Sequence, residues 1–342
     1  MRYSSRNSLS SIIFYVIGIS FNQPHFCAKV NWTQDGITFA NRSVVGSRHT
    51  PIFIDTNNTI YVINGEKNKT LVWSNNSLNP TEIILGNFSG YSSIFVTSNG
   101  DIYIDDGEKN NVVKRWISKN KTFDIVMNVN SSCSDLFIDI NDHLYCSISH
   151  QVAKRDLKSS SMTPIIVAGT GYEGSASNEL FSPLGIFVDV NSDLFVADTR
   201  NNRIQLFPFG EMNAITVAGR GSYKPTISLD TPSGIVLDAK KYLFIVDGHN
   251  NRIVGEGPYG FRCLVGCYGK GSESSQWTWP SAMSFDVFGN MFVAELSTHQ
   301  IQKFELIENS CGEFIKVLTM VKTSNSKTRK SPIHNILKKE RK

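Results

Sequence analysis

Asp198 and Asp247 each stand five positions ahead of an arginine, Arg203 and Arg252, with the polar stretches "TRNN" and "GHNN" between them. Carboxylates at such spacing invite an acid–base reading, and seven histidines (His25, His49, His143, His150, His249, His299, His334) invite a metal-binding one. Neither reading coheres. The Asp…Arg unit recurs, and a residue that recurs with each repeat serves the fold before it serves one reaction. Meeting across a hairpin mouth, Asp198 with Arg203 and Asp247 with Arg252 would fix its register, and an exposed pair of that kind is worth about 0–1 kcal/mol. The histidines fall in turns or outside the apolar runs, where three cannot converge on one ion. HExxH, GxSxG, CxxC and a phosphate-cradling Gly loop with Lys are all absent from the sequence. "GTGYEG" (Gly169 to Gly174) follows a strand without opening a helix, so it reads as a connector. No catalytic residue, metal ligand or cofactor is expected.

The elements that carry these residues repeat. Aligned on the aromatic of "LFVAD", six runs match, at Tyr61, Tyr103, Tyr145, Phe195, Phe244 and Phe292, spaced 42, 42, 50, 49 and 48 residues apart. A short apolar run precedes each ("IFIDTNN", "IFVTSNG", "LFIDIND", "IFVDVNS", "IVLDAKK", "SFDVFGN"), and third and fourth runs follow. Asn, Asp, Gly and Lys join them, which is hairpin chemistry. No window keeps a 3.6-residue apolar period, so helices should be few. Runs such as "IFV" and "LFVA" are apolar at consecutive positions, so each sheet is covered on both faces. The expectation is an all-β fold: a six-bladed β-propeller of four-stranded antiparallel blades. Asn201, Asn202, Asn250 and Asn251 would turn the chain between second and third strands, since Asn tolerates left-handed backbone.

The sixth unit ends at "QIQKFEL" without a fourth strand, whereas "ITFAN" (Ile37 to Asn41) resembles "ITVAG" (Ile215 to Gly219). Borrowing it would close the ring and leave no open edge; "FIKVLTM" (Phe314 to Met320) competes for the slot. Cys27 and Cys311 flank the two segments and would staple the closure, worth roughly 5 kcal/mol at most by loop entropy. That leaves Cys133–Cys146 and Cys263–Cys267 as local pairs.

Export is expected. Arg2 and Arg6 precede the apolar run "SIIFYVIGISF", too short to span a bilayer comfortably, and Gly18 and Ser20 suit cleavage after Ser20. Six cysteines, an even number, suit an oxidising compartment. Eight sequons, at Asn31, Asn41, Asn57, Asn68, Asn75, Asn87, Asn120 and Asn130, lie in the first 130 residues, which points to a glycan-coated half that is not the binding half. From Lys316 onward there are nine Lys/Arg against one Glu; without that tail 25 basic residues face 29 acidic ones. The body is mildly acidic, which argues against a nucleic-acid partner. The expected organisation is a signal peptide over 1–20, a segment with the ring-closing strand over 21–44, the propeller over 45–310 and a basic, partly disordered tail over 311–342.

"SPLGIFVDVNSDLFVADTRNNRIQLF" (Ser182 to Phe207) resembles an NHL repeat; "TPSGIVLDAKKYLFIVDGHNNRIV" (Thr231 to Val254) and "WPSAMSFDVFGNMFVAELSTHQIQKF" (Trp279 to Phe304) are similar. The first three units lack the leading Pro-x-Gly and the Asp…Arg pair. The resemblance spans about residues 45 to 306 and implies a six-bladed propeller used to bind proteins, RNA or small ligands, without implying one activity. Its ubiquitin-ligase branch carries zinc domains that have no counterpart here. Its secreted, peptide-amidating lyase branch holds zinc with axial histidines, and no inner run of this sequence contains a His. The leading expectation is a secreted, monomeric, glycosylated NHL-type binding module for a protein or extracellular ligand. The alternative is a metal-dependent extracellular lyase or hydrolase of the peptide-amidating lyase type. Contacts are expected on the rim shared by the second-to-third-strand turns and the blade connectors, from Arg200, His249 and His299 with Asn201, Asn202, Asn250 and Asn251.

Overall fold

A computed structural model describes residues 21–47, 50–74, 77–86, 93–106, 110–222, 227–267 and 278–307. Within them the strands form six four-stranded antiparallel sheets. Strands are lettered A to D from the axis outward. Blades 1 to 5 cover residues 52–85, 94–128, 135–169, 186–219 and 232–265, and blade 6 takes strands A to C from residues 280–304. Its D strand is Ile37–Ala40, paired antiparallel with Gln300–Phe304, as the repeat alignment predicts. The competing segment Phe314 to Met320 lies outside the described residues, as does the 1–20 leader. The one α-helical turn among the named elements is Arg42–Val45.

The consecutive-apolar pattern works as the sequence reading requires. In blade 4 strands A and B, Ile186–Val188 and Leu194–Asp198, are buried on both faces, and in the other blades no residue of strands A and B is fully exposed, although Ala282 and Ser284 of blade 6 are half-buried. The D strands face water, and Ile165–Gly169 opens from its first residue. Neighbouring A strands touch all the way round, including blade 1 against blade 6, so the ring is closed.

Hairpins between strands A and B share one device. Asp55, Asp139, Asp189, Asp238 and Asp286 each accept two backbone N–H bonds through Oδ1, from the residues two and four positions on. Such an Asx turn caps one oxygen of each carboxylate and sets the hairpin, and of these five turns only that of blade 6 also uses a glycine, Gly289 at φ 82°. Blade 2 substitutes Thr97 and Asn99, with the Asn99 side chain accepting from Asp101 N.

The Asp…Arg pairs are buried, not exposed, and this changes their weight. Asp198 lies opposite Arg203 in the hairpin, with Nε 2.7 Å from Oδ2. The arginine's other nitrogens donate to the carbonyls of Ser175, Ala176 and Glu179, while Asp198 Oδ1 accepts from Phe181 N. The pair thus ties its hairpin to the connector arriving from blade 3. Asp247 and Arg252 repeat this at 2.8 Å, reaching Ser228 O and Asp230 N. Blade 2 uses Lys114 on Asp106 at 2.5 Å. Blade 6 has Glu295 with Gln300 and Thr298 and, among the described residues, no cation, and burial pushes that carboxyl above its usual range.

Among the described residues two disulfides join the local pairs that the spacing predicts, Cys133–Cys146 and Cys263–Cys267. Cys311 lies outside the described residues, so the Cys27–Cys311 staple remains an expectation. No described helix is long and apolar enough to cross a membrane.

Candidate binding surfaces

The channel along the ring axis is the first place to look for chemistry. The middle residues of the A strands, which meet there, are Phe53, Phe95, Phe137, Phe187, Val236 and Ser284. The four phenylalanines pack edge-on or tilted against one another round the axis, with centroid distances of 5.0, 5.2 and 4.8 Å. Phe21 fills the centre, 6.2, 5.2 and 5.3 Å from the rings of Phe95, Phe137 and Phe187. Asn22 Nδ2 donates to Asp55 O and Phe285 O, and Gln23 Nε2 to Leu237 O, so the segment seals the A–B end of the channel. Nearer the other end, blades 4 and 5 touch: Gly185 N donates to Ser233 O at 2.7 Å, and a Cβ on Gly185 would lie 2.6 Å from that oxygen.

An axial metal ion of the kind the lyase branch implies does not fit these residues. Phenyl rings offer no ligand, and among the described residues no three His, Cys, Asp or Glu side chains gather anywhere to hold an ion. His143 bonds Asp139 at 2.9 Å, His150 accepts from Ser182 N at 3.3 Å, and His249 and His299 lie in second-to-third-strand turns. His49 and His334 lie outside the described residues.

One carboxyl near the channel is perturbed. Asp135 opens strand A of blade 3 and accepts from Leu136 N and, across to blade 4, from Ile186 N. Burial of the carboxyl pushes its pKa up to about 7, and the two N–H bonds only partly offset this. Among the described residues no base or nucleophile bonds its carboxyl, and its N–H donates to Ser147 Oγ, so it reads as a strut between blades.

The B–C turns and the blade connectors share one face of the ring. The structure divides its residues. Asn201 Nδ2 donates to Gly174 O and Asp198, and Asn250 Nδ2 to Asp247. Asn202 and Asn251 sit at φ 55° and 51° and accept from Thr231 N and Trp279 N of the next connector. These four side chains are occupied by the fold. Half-buried His299 has φ 51°, and its Nδ1 has no partner among the described residues. Arg200 is exposed. Exposed His249 bonds Thr231 Oγ1 at 2.9 Å and stands edge-on to Trp279 at 4.7 Å. The sequence reading missed two rim residues: Tyr172 in the connector after blade 3, 80% exposed, and Trp279 ahead of blade 6, 45% exposed. Tyr172 stands in "GTGYEG", and the signal was an aromatic in a Gly-rich connector with no apolar run to bury it.

On the opposite face, between blades 3 and 4, lies a cavity of about 270 Å³ lined by Tyr145, Lys154, Ile165, Ile166, Phe209 and Met212 among others. It was not foreseen, because it joins strands of one blade to a C–D turn of the next.

The six described sequon asparagines, Asn31, Asn41, Asn57, Asn68, Asn120 and Asn130, are all exposed. They stand on blades 1 and 2, the connector leaving blade 2, and the N-terminal segment that joins blade 6; Asn75 and Asn87 lie outside the described residues.

Ring and strand order define the protein as a six-bladed β-propeller of four-stranded antiparallel blades. Neither a protein-family profile nor a curated protein sequence matches the chain. Among solved structures it is similar to a protein of unknown function from Bacteroides thetaiotaomicron (TM-score 0.63, 15% identity, 81% of this chain and 76% of that one). A streptogramin B lyase (0.56, 13%, 82% and 100%) and a gluconolactonase from Xanthomonas campestris (0.54, 12%, 84% and 98%) share the fold. At such identities the likeness is one of fold alone.

Proposed function

We propose that the protein is exported, cleaved after Ser20, glycosylated over blades 1, 2 and 6, and acts as a binding module for an extracellular protein. The observation that carries this reading is the composition of the rim over blades 3 to 6. Tyr172, Arg200, His249 and Trp279 are exposed along successive connectors and turns of one face, on a rigid scaffold whose neighbouring asparagines are bonded inward. Tyr, Trp and Arg are the side chains that anchor protein interfaces, and they do so best when their support is fixed. The sequons lie on blades 1 and 2, the connector leaving blade 2 and the N-terminal segment along blades 5 and 6, and none falls in the connectors or turns that carry Tyr172, Arg200, His249 and Trp279. The blocked channel favours a surface role over axial catalysis.

The test is expression of the full chain in a secretory host, followed by a screen of the purified product against extracellular proteins. The expected result is a glycosylated product beginning at Phe21 that binds a protein ligand, with affinity falling at least about tenfold in Arg200→Glu and Trp279→Ala. Intracellular retention without glycans would contradict export. One tightly held metal per chain with lyase or hydrolase turnover would favour the enzyme reading.

A further inference from the structure

The structure assigns a second site, on the opposite face from the rim: we infer that the cavity between blades 3 and 4 binds a small amphiphilic carboxylate, with its hydrocarbon part in the cavity and its anionic head on Lys154. This goes beyond the rim reading and rests on different residues.

Lys154 stands on strand C of blade 3, directly opposite Tyr145 on strand B and Ile165 on strand D. Its ammonium lies 5.8 Å from the ring centroids of both Tyr145 and Phe209. Among the described residues it forms no ion pair. Aromatic faces attract a cation through their quadrupole without accepting its N–H donors in the way a carboxylate does. The charge is therefore held at the cavity wall with its hydrogen-bonding capacity open to an anion.

Tyr145 donates its hydroxyl to Asp139 Oδ2 at 3.1 Å, which holds its ring, and Phe209 N donates to Asp193 Oδ1 at 3.0 Å, which ties the C–D turn of blade 4 to that blade's own A–B turn. The rest of the wall is apolar and unusually open to water: Phe209 is 65% exposed, Ile165 61%, with Met212 and Ile166 beside them. A cavity of about 270 Å³ is just below the range that drug-sized molecules fill, so the ligand is small, with roughly ten heavy atoms. One cation among apolar walls selects a single carboxylate head and a short hydrocarbon body. Glu211, exposed at the mouth, is the one carboxylate in the lining; it opposes the anion weakly through water.

The experiment titrates the purified glycoprotein with octanoate, 1-octanol and octylammonium, by calorimetry and ligand-observed NMR. Octanoate is expected to bind saturably at one site, about tenfold or more tighter than octylammonium. Lys154→Gln should weaken octanoate about tenfold while leaving 1-octanol unchanged. Phe209→Ala should weaken all three, and Glu211→Gln should tighten octanoate two- to threefold. Thermal melts of each variant confirm folding, and Arg200→Glu on the rim should bind octanoate like the wild type. Equal binding of the three probes, octanoate binding unaffected in Lys154→Gln, loss of octanoate in Arg200→Glu, or no saturable binding would each overturn the assignment. None of these outcomes bears on whether the rim holds a protein, so the two readings fail separately.

Discussion

The two faces of the ring use polar and apolar residues in opposite ways. On the face with the B–C turns, the conspicuous repeated residues (Asp198, Arg203, Asn202 and their blade 5 counterparts) are spent inward, on neighbouring backbone. What remains for a partner is the set of unrepeated residues: Tyr172, Arg200, His249 and Trp279. On the other face, the repeated Asp caps are again consumed by their own turns, and the unrepeated feature is an apolar cavity with one cation. The lesson is that in a repeat protein the motif that draws the eye holds the ring, while recognition is left to positions where one blade departs from the others.

The largest expected effect breaks the repeated device. Arg203→Ala leaves a wholly buried Asp198 carboxylate without its cation and should cost about 3–5 kcal/mol in chemical denaturation. Arg252→Ala, at a pair more open to water, should cost less. Equal and negligible losses would mean that the pairs do not hold the hairpins to their connectors.

Next is the axial plug. Phe21→Ala removes a ring packed against three others and should cost about 3 kcal/mol, with the hydrophobic dye binding that accompanies a loosened channel.

A smaller effect, set by pH, belongs to Asp135. Its folded pKa of about 7 lies above the unfolded carboxyl value near 4, so over that window the native state holds the extra proton. Stability contributed by the protonated form is complete at the acid end and is lost as pH rises through about 7. Asp135→Asn should therefore remove much of the fall in stability between about pH 4 and 7, and a steeper profile in the variant would contradict this.

The smallest stability effects fall at the two candidate surfaces. Arg200→Ala and Lys154→Gln should each stay within about 0.5 kcal/mol of wild type, because neither side chain supports the ring.

Much of the fold was legible in the sequence. The aromatic in each B strand fixes the repeat, consecutive apolar residues fix the two-sided burial, and "ITFAN" names the closing strand. The Asp of the A–B turn was equally visible, in "FIDTNN", "FIDIND" and "FVDVNS", although its double N–H cap needs coordinates to be seen. The surfaces were less legible, for physical reasons. An Asn in a turn looks the same whether its amide faces water or the next connector. A plug such as Phe21 depends on how a non-repeating segment crosses the ring. The cavity at Lys154 arises from residues more than fifty positions apart, brought together only by the packing of one blade on the next.

The most direct test of the central claim, that the unrepeated rim residues recognise a protein, is a hydrogen-exchange footprint of the complex with whatever ligand the screen returns. Peptides carrying Tyr172, Arg200, His249 and Trp279 should gain protection, while those of blades 1 and 2 stay unchanged. Protection confined to the sequon-bearing arc, with the rim exchanging as in the free protein, would contradict it.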